Sequence, residues 1–171
     1  MGKEGSRRIY ERVLTTLNAS SGFLQARLTE IETAFGETAG FLELPQDRDM
    51  YHHDPTYLHI PQKLPALFFF PRSNTNAGIL QGKRDITHVF ELRVYAAHTK
   101  ADILVDKLAM YQRAIEKALE DRVRTGGDIY QIVWRTGIYS PLTPWLNKTK
   151  MVQGIASLGE FSERVERPTT V

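Results

Sequence analysis

The chain has 171 residues, 42% hydrophobic and 25% charged, and a formal net charge of +2. That composition suits one folded domain and rules out a chain that stays disordered. The near balance of charge gives no whole-molecule pull toward nucleic acid, and the absence of cysteine excludes disulfides, thiolate metal sites and cysteine nucleophiles.

Residues 7 to 35 open the chain with helical spacing. Tyr10, Leu14, Leu17, Ser21, Leu24, Leu28, Ile31 and Phe35 recur at alternating intervals of four and three, which puts them on one face. The stripe runs through "NASSG", where Gly22 weakens a helix by about 1 kcal/mol relative to alanine. Either one helix crosses this point or two helices meet there. Residues 36 to 65 then change character, and five of the eight prolines lie between 45 and 71. Each proline lacks an N–H and holds its predecessor extended, so a long extended connection is expected.

"LPALFFFP", 64 to 71, reads as a buried strand, and "RSNTNAGILQGKRD", 72 to 85, as a mobile polar hairpin loop. In "DITHVFELRVYAA" His88, Phe90, Leu92, Val94 and Ala96 share one face, with Thr87, Glu91 and Arg93 on the other. A second helix follows, with Thr99 as its expected N-cap and a stripe of Leu104, Leu108, Tyr111, Ile115 and Leu119; "TGG" at 125 to 127 ends it. Residues 128 to 140 predict a strand with Tyr130, Ile132 and Trp134 on one face. "PLTPWLNKTK" reads as a loop, and 151 to 165 as a final strand bent or closely approached at Gly154 and Gly159. Residues 166–171 read as a polar tail. The expected class is α+β: a single domain over 1–171. Its mainly antiparallel sheet of four to five strands is packed by an N-terminal helix and a central amphipathic helix.

Chemistry-bearing motifs are few. His52, His53, Asp54 and His59, in "YHHDPTYLHIP", are metal-ligating residue types. Their spacing matches no helical HExxH pattern, and adjacent side chains on an extended chain point to opposite sides. The segment reads either as a metal site or as a polar-aromatic contact loop. "GILQGKR" has three residues between its glycines where a phosphate loop has four, and Arg84 where that loop has Ser or Thr. "GIASLG" is not a nucleophile elbow. No cofactor fingerprint is present. Arg72, Lys83 and Arg84 are candidate phosphate contacts or members of a solvated loop. No run approaches the ~18 apolar residues of a membrane span.

Taken together, "LPALFFFP", "FELRVYAAHTKADILVDKLAMYQRAIEKAL", "GGDIYQIVWRTGIYSP" and "MVQGIASLGEF", with the leading helix, resemble the tail terminator (tail completion) proteins of long-tailed bacteriophages. The resemblance spans about residues 7 to 165 and rests on element order and residue character, since that family has no catalytic signature. The segments 36–65 and 140–150 depart from the family's compact pattern. The resemblance implies a structural virion protein with no enzymatic activity and no cofactor. It would form a ring of six at the head-proximal end of the tail tube, stopping tube polymerisation and joining the tail to the head connector. Implied partners are further copies of itself, the tail tube protein, a head-closure or connector protein, and genomic DNA passing through the lumen. No membrane is involved. The location would be the tail-neck region of the virion, and the host cytoplasm during assembly.

Residues 51 to 71 carry only Asp54 and Lys63 as formal charges among many aromatics, a composition that suits an interface core. Tyr51, His52, His53, Tyr57 and His59 are therefore expected to contact a neighbouring subunit or partner. Arg72, Asn74, Asn76, Lys83 and Arg84 are expected on a loop facing the tube or the lumen. The alternatives are another neck or head-closure ring protein, a metal-dependent enzyme using the histidines, and a nucleic-acid-binding module.

Overall fold

The structure, a computed structural model, describes residues 2–47, 50–51, 63–80, 83–123, 128–135, 137–145 and 149–166, and side chains for all of these except 2–6, 74–80 and 166. The first amphipathic stretch is two helices, α1 (Gly2–Leu17) and α2 (Phe23–Phe35), joined by a single 3-10 turn at Ala19–Ser21. Asn18 accepts the Ser20 N–H at 2.8 Å, and Gly22 takes φ +73°, a left-handed conformation open to glycine. The chain breaks where the sequence was weak, and Ile9, Val13, Leu17, Leu24, Leu28 and Ile31 still reach one core.

α2 ends at Gly36, again left-handed at φ +71°. The chain then returns along the helices. The buried Glu32 carboxylate accepts the backbone N–H of Leu42 at 2.6 Å, Leu42 is fully buried, and the Tyr111 hydroxyl donates to the Glu43 carbonyl at 2.7 Å. So the first part of the expected long connection is packed into the core.

The sheet contains four long strands and three short ones. β1 (Met50–Tyr51) pairs in parallel with β2 (Ala66–Leu80); β2 pairs antiparallel with β3 (Lys83–His98), and β3 with β7 (Lys150–Glu166). β4 (Ile129–Trp134), β5 (Ile138–Tyr139) and β6 (Thr143–Trp145) all pair antiparallel with β7, on its other edge. In the chain α3 (Ala101–Val123) connects β3 to β4, and it packs with α1 and α2 on one sheet face. The architecture is α+β with a mainly antiparallel sheet, as expected.

α3 buries the whole expected stripe of Leu104, Leu108, Tyr111, Ile115 and Leu119, together with Met110, Ala114, Ala118 and Val123. Its start lies one residue beyond the expected cap: Ala101 is the first helical residue, and the His98 ring Nδ1 lies 3.1 Å from the Lys100 N–H as its acceptor. On the helix-facing side an aromatic row crosses the sheet. Phe69 stacks on Phe90 at 4.7 Å, Phe90 meets Phe161 edge-on at 5.5 Å, and Phe161 meets Trp134 edge-on at 5.8 Å. These four rings belong to β2, β3, β7 and β4, so the row ties the long strands together. Full burial of each of the three phenylalanine rings stabilises the fold by about 1.5–3 kcal/mol.

Two local expectations are corrected. Residues 72 to 80 and 83 to 85 are not a loop: β2 continues, with register shifts at Pro71/Ser73 and Ala77/Ile79, paired to β3 as far as Leu80, opposite Lys83. Polar residues and a glycine are tolerated there because the hairpin ladder satisfies the backbone. Tyr130 also leaves the face assigned to it. Ile129 pairs with Glu163 and Gln131 with Ser162, so Tyr130 is an extra residue in a bulge and is exposed, while Ile129, Ile132 and Trp134 pack on the core.

Candidate assembly surfaces

β4, β5 and β6 are one edge strand interrupted twice. Trp134 and Ile138 are four residues apart, but their β7 partners Gly159 and Ala156 are three apart. Tyr139 and Thr143 are likewise four apart against Ile155 and Val152. Each interruption therefore inserts one extra residue on the edge, as a bulge does. Backbone bonds hold the edge between the strands: Arg135 N–H to the Leu158 carbonyl and Ser140 N–H to the Gly154 carbonyl, both at 2.9 Å. The Ser140 hydroxyl oxygen also accepts the Gly154 N–H at 2.9 Å. So 141–145, expected to be loop, contains a strand, and the described residues of 128–145 follow β7 nearly from end to end.

The outer side of this edge is apolar. Of the exposed large hydrophobic residues, Tyr130, Val133, Ile138, Tyr139 and Leu142 all belong to it, leaving only Phe35 and Val105 elsewhere among the described residues. Ile138 is 74% exposed. No described strand pairs with this side. Arg135 is its one charged residue, and it is held by Glu160 at 2.6 Å.

The opposite end of the sheet is β2. Among the described residues its outer edge is paired only at Leu67 and Phe68, by β1. From Ser73 to Leu80 the sequence "SNTNAGIL" has no charge and no proline, two of the usual devices that blunt an edge. Among the described residues the sheet therefore has two different open edges, one at each end.

Of the expected contact residues, His52, His53, Asp54, Tyr57 and His59 lie outside the described residues. Tyr51 is described: it is half-buried and stacks on Phe68 at 4.7 Å, on the sheet face away from the helices. Among the described residues no group of three or more His, Asp and Glu is placed to hold a metal ion.

The residues expected on a lumen loop do not form one patch. Lys83 and Arg84 sit at the hairpin tip, opposite Leu80 and Ile79. Asn74 and Asn76 lie on β2 opposite His88 and Ile86. Arg72 lies roughly 20 Å back from the tip along the strand, at a second bulge between Pro71 and Ser73. There its guanidinium covers the Phe70 ring at 5.1 Å and pairs with the buried Glu91 carboxylate, which Arg93 also engages. Arg72 is thus built into the sheet face.

The hairpin is anchored by a buried polar group. His88, 1% exposed on the otherwise apolar face of β3, contacts the Glu163 carboxylate at 2.8 Å; Arg8 reaches the same carboxylate and Asp128, both at 3.1 Å. The His88 hydrogen bond and the Arg8 and Arg12 charges hold the Glu163 carboxyl below its ordinary range, against the cost of burial. An ionised carboxylate only accepts, so Nε2 of His88 carries the proton. His88 is thus a buried histidine of the core with its polar partner in place. Nearer the tip, Arg164 grips Asp85 with two bonds at 2.8 and 3.1 Å, which lowers the Asp85 carboxyl.

No protein-family model matches this chain, and no curated protein matches it. Among solved structures it is similar to a chain in the virion of a native gene transfer agent particle, at 15% identity and a TM-score of 0.38, over 84% of this chain and 98% of that one.

Proposed function

We propose that this chain is a structural virion protein, a tail terminator that closes into a ring of six at the head-proximal end of a phage tail tube. The ring stops tube polymerisation and presents its other face to the head connector or head-closure protein. The role is architectural and non-catalytic. Its partners are copies of itself, the tube protein and the connector, with genomic DNA passing through the lumen. It resides in the tail-neck region of the virion, reached from the host cytoplasm during assembly.

The observation that carries this reading is the concentration of exposed apolar side chains on the β4–β6 edge, which no described strand pairs, with a second, different edge on β2 that is paired at only two positions among the described residues. A ring needs two unlike patches on each subunit, meeting heterologously with a rotation that closes. Two unlike edges at opposite ends of one sheet supply them. In this reading the β4–β6 edge of one subunit docks on the β2 edge of the next, and Tyr51, beside β2, contributes an aromatic contact. The bulges and Pro141 and Pro144 would keep the apolar edge from adding strands indefinitely.

The test is to add the purified protein to polymerising tail tube protein and image the products by electron microscopy. Tubes of limited length with a ring on one end are expected. Tubes that grow on unaffected, with no ring at either end, would overturn the reading.

A further inference from the structure

Glu116 of α3 is a half-buried carboxyl that no cation pairs among the described residues. Gln112, one turn earlier, donates from Nε2 to Glu116 Oε1 at 2.7 Å. The other end of that amide lies against the edge of the sheet. A Cβ built on Gly137 would come within 2.6 Å of Gln112 Oε1 and 2.9 Å of the Ile155 side chain. Gly137 joins β4 to β5 and precedes Ile138, the most exposed large apolar side chain among the described residues. A line of contact therefore runs from Glu116 through Gln112 to the backbone that carries Ile138.

The surroundings of Glu116 disfavour its charge. Burial raises the carboxyl above its ordinary 4.5 and outweighs the help of Gln112 and of Ser157, a β7 residue that is itself buried; Glu120, one turn on, adds like charge. The other charges of the elements around α3 have partners of their own. Lys117 pairs with Glu30 and Asp121 with Arg27, both toward α2. Glu163 answers His88 from β3 and Arg8 and Arg12 from α1, and Glu160 holds Arg135. The titratable group of β5, Tyr139, is exposed.

We propose that Glu116 is a proton-operated latch between α3 and the β4–β5 edge: the neutral carboxyl keeps Gln112 seated on Gly137 and Ile138 in its presented position, and the ionised carboxyl releases them. A raised carboxyl binds more protons with the edge closed than with it open. Its contribution to closure is therefore complete below the open-edge value, near 4.5, and is lost as pH rises through the closed one. That the latch governs the joining of subunits rests on the assembly reading; the latch itself does not.

Hydrogen exchange of the full chain, diluted to monomer and read by mass spectrometry with correction for the intrinsic pH dependence of exchange, tests this. The reporters are the Arg135 and Ser140 amides, bonded to the Leu158 and Gly154 carbonyls on either side of Gly137. Between about pH 5 and pH 8 their opening is expected to rise with pH, by at most about tenfold per pH unit, the limit for one coupled proton. Glu116→Gln, neutral at every pH, is expected to hold the protection of the low-pH form throughout, with thermal unfolding as the check on its fold. Gln112→Ala, which cuts the contact and keeps the carboxyl, is expected to abolish the pH response at the edge. A response that survives in Glu116→Gln, an equal response along the β2–β3 ladder, or none in the wild type would overturn the proposal. Protection is measured within one subunit, so a failure of ring formation leaves the latch standing, and a failure of the latch leaves the tube-capping test untouched.

Discussion

Trp134 lies directly over Gly159: a Cβ built on Gly159 would come within 2.6 Å of the indole and 2.8 Å of the Phe161 ring. The two residues are cross-strand partners in the β4–β7 ladder. The glycine lets β4 set Trp134 into the aromatic row. Gly159→Ala is expected to cost about 1–3 kcal/mol through overpacking, read as a lower midpoint in urea unfolding. An unchanged midpoint would mean that the indole moves aside freely.

Gly154 and Tyr95 repeat this relation on the opposite face. An added Cβ would meet the phenol ring at 2.5 Å. Gly154→Ala is expected to destabilise by a similar amount, and the double variant with Tyr95→Ala to recover part of the loss. Strictly additive effects in that double-mutant cycle would contradict the contact.

The His88–Glu163–Arg8 group sets an acid limit on stability. The Glu163 carboxyl is lowered from its ordinary 4.5, first by the His88 hydrogen bond. A lowered carboxyl binds fewer protons folded than unfolded. Its contribution is therefore present above the unfolded value and is lost as pH falls through the folded one. Denaturation followed from pH 6 downward should show this loss begin near the ordinary carboxyl value, and Glu163→Gln should flatten it. Glu163→Ala, which leaves His88 buried beside Arg8 without its acceptor, is expected to cost about 3–5 kcal/mol at neutral pH.

The hairpin cations should separate by position. Lys83→Gln with Arg84→Gln, at the tip, is expected to leave the unfolding midpoint unchanged while weakening attachment to tube or connector in a pull-down. Arg72→Gln, which removes one of the two guanidiniums on Glu91, is expected to lower stability instead. If all three behave alike, the division between tip and sheet face is wrong.

The two faces of β3 and the stripe of α3 could be read from the sequence, because strict alternation and three-to-four spacing report burial directly. Class and approximate topology followed. The extent of β2 could not be read. "RSNTNAGIL" has no hydrophobic alternation, and only pairing along β3 makes it a strand. The β4–β6 edge was legible only in its first half. Its bulges shift the side-chain parity three times, first at Tyr130, so period-two reasoning fails along it, and Pro141 and Pro144 read as loop although an edge strand tolerates them. The apolar character of Val133, Ile138, Tyr139 and Leu142 was plain in the letters, but their exposure depends on which side of β7 the chain follows.

Native mass spectrometry of the wild-type protein beside Ile138→Asp tests the central claim most directly. Ile138 is so exposed that the substitution should shift monomer stability by only about 0.5 kcal/mol, so any change in mass reports assembly. The account expects a closed ring of six subunits for the wild type and monomer for the variant. A wild type that stays monomeric, or a ring that Ile138→Asp leaves intact, would contradict the edge-to-edge assembly.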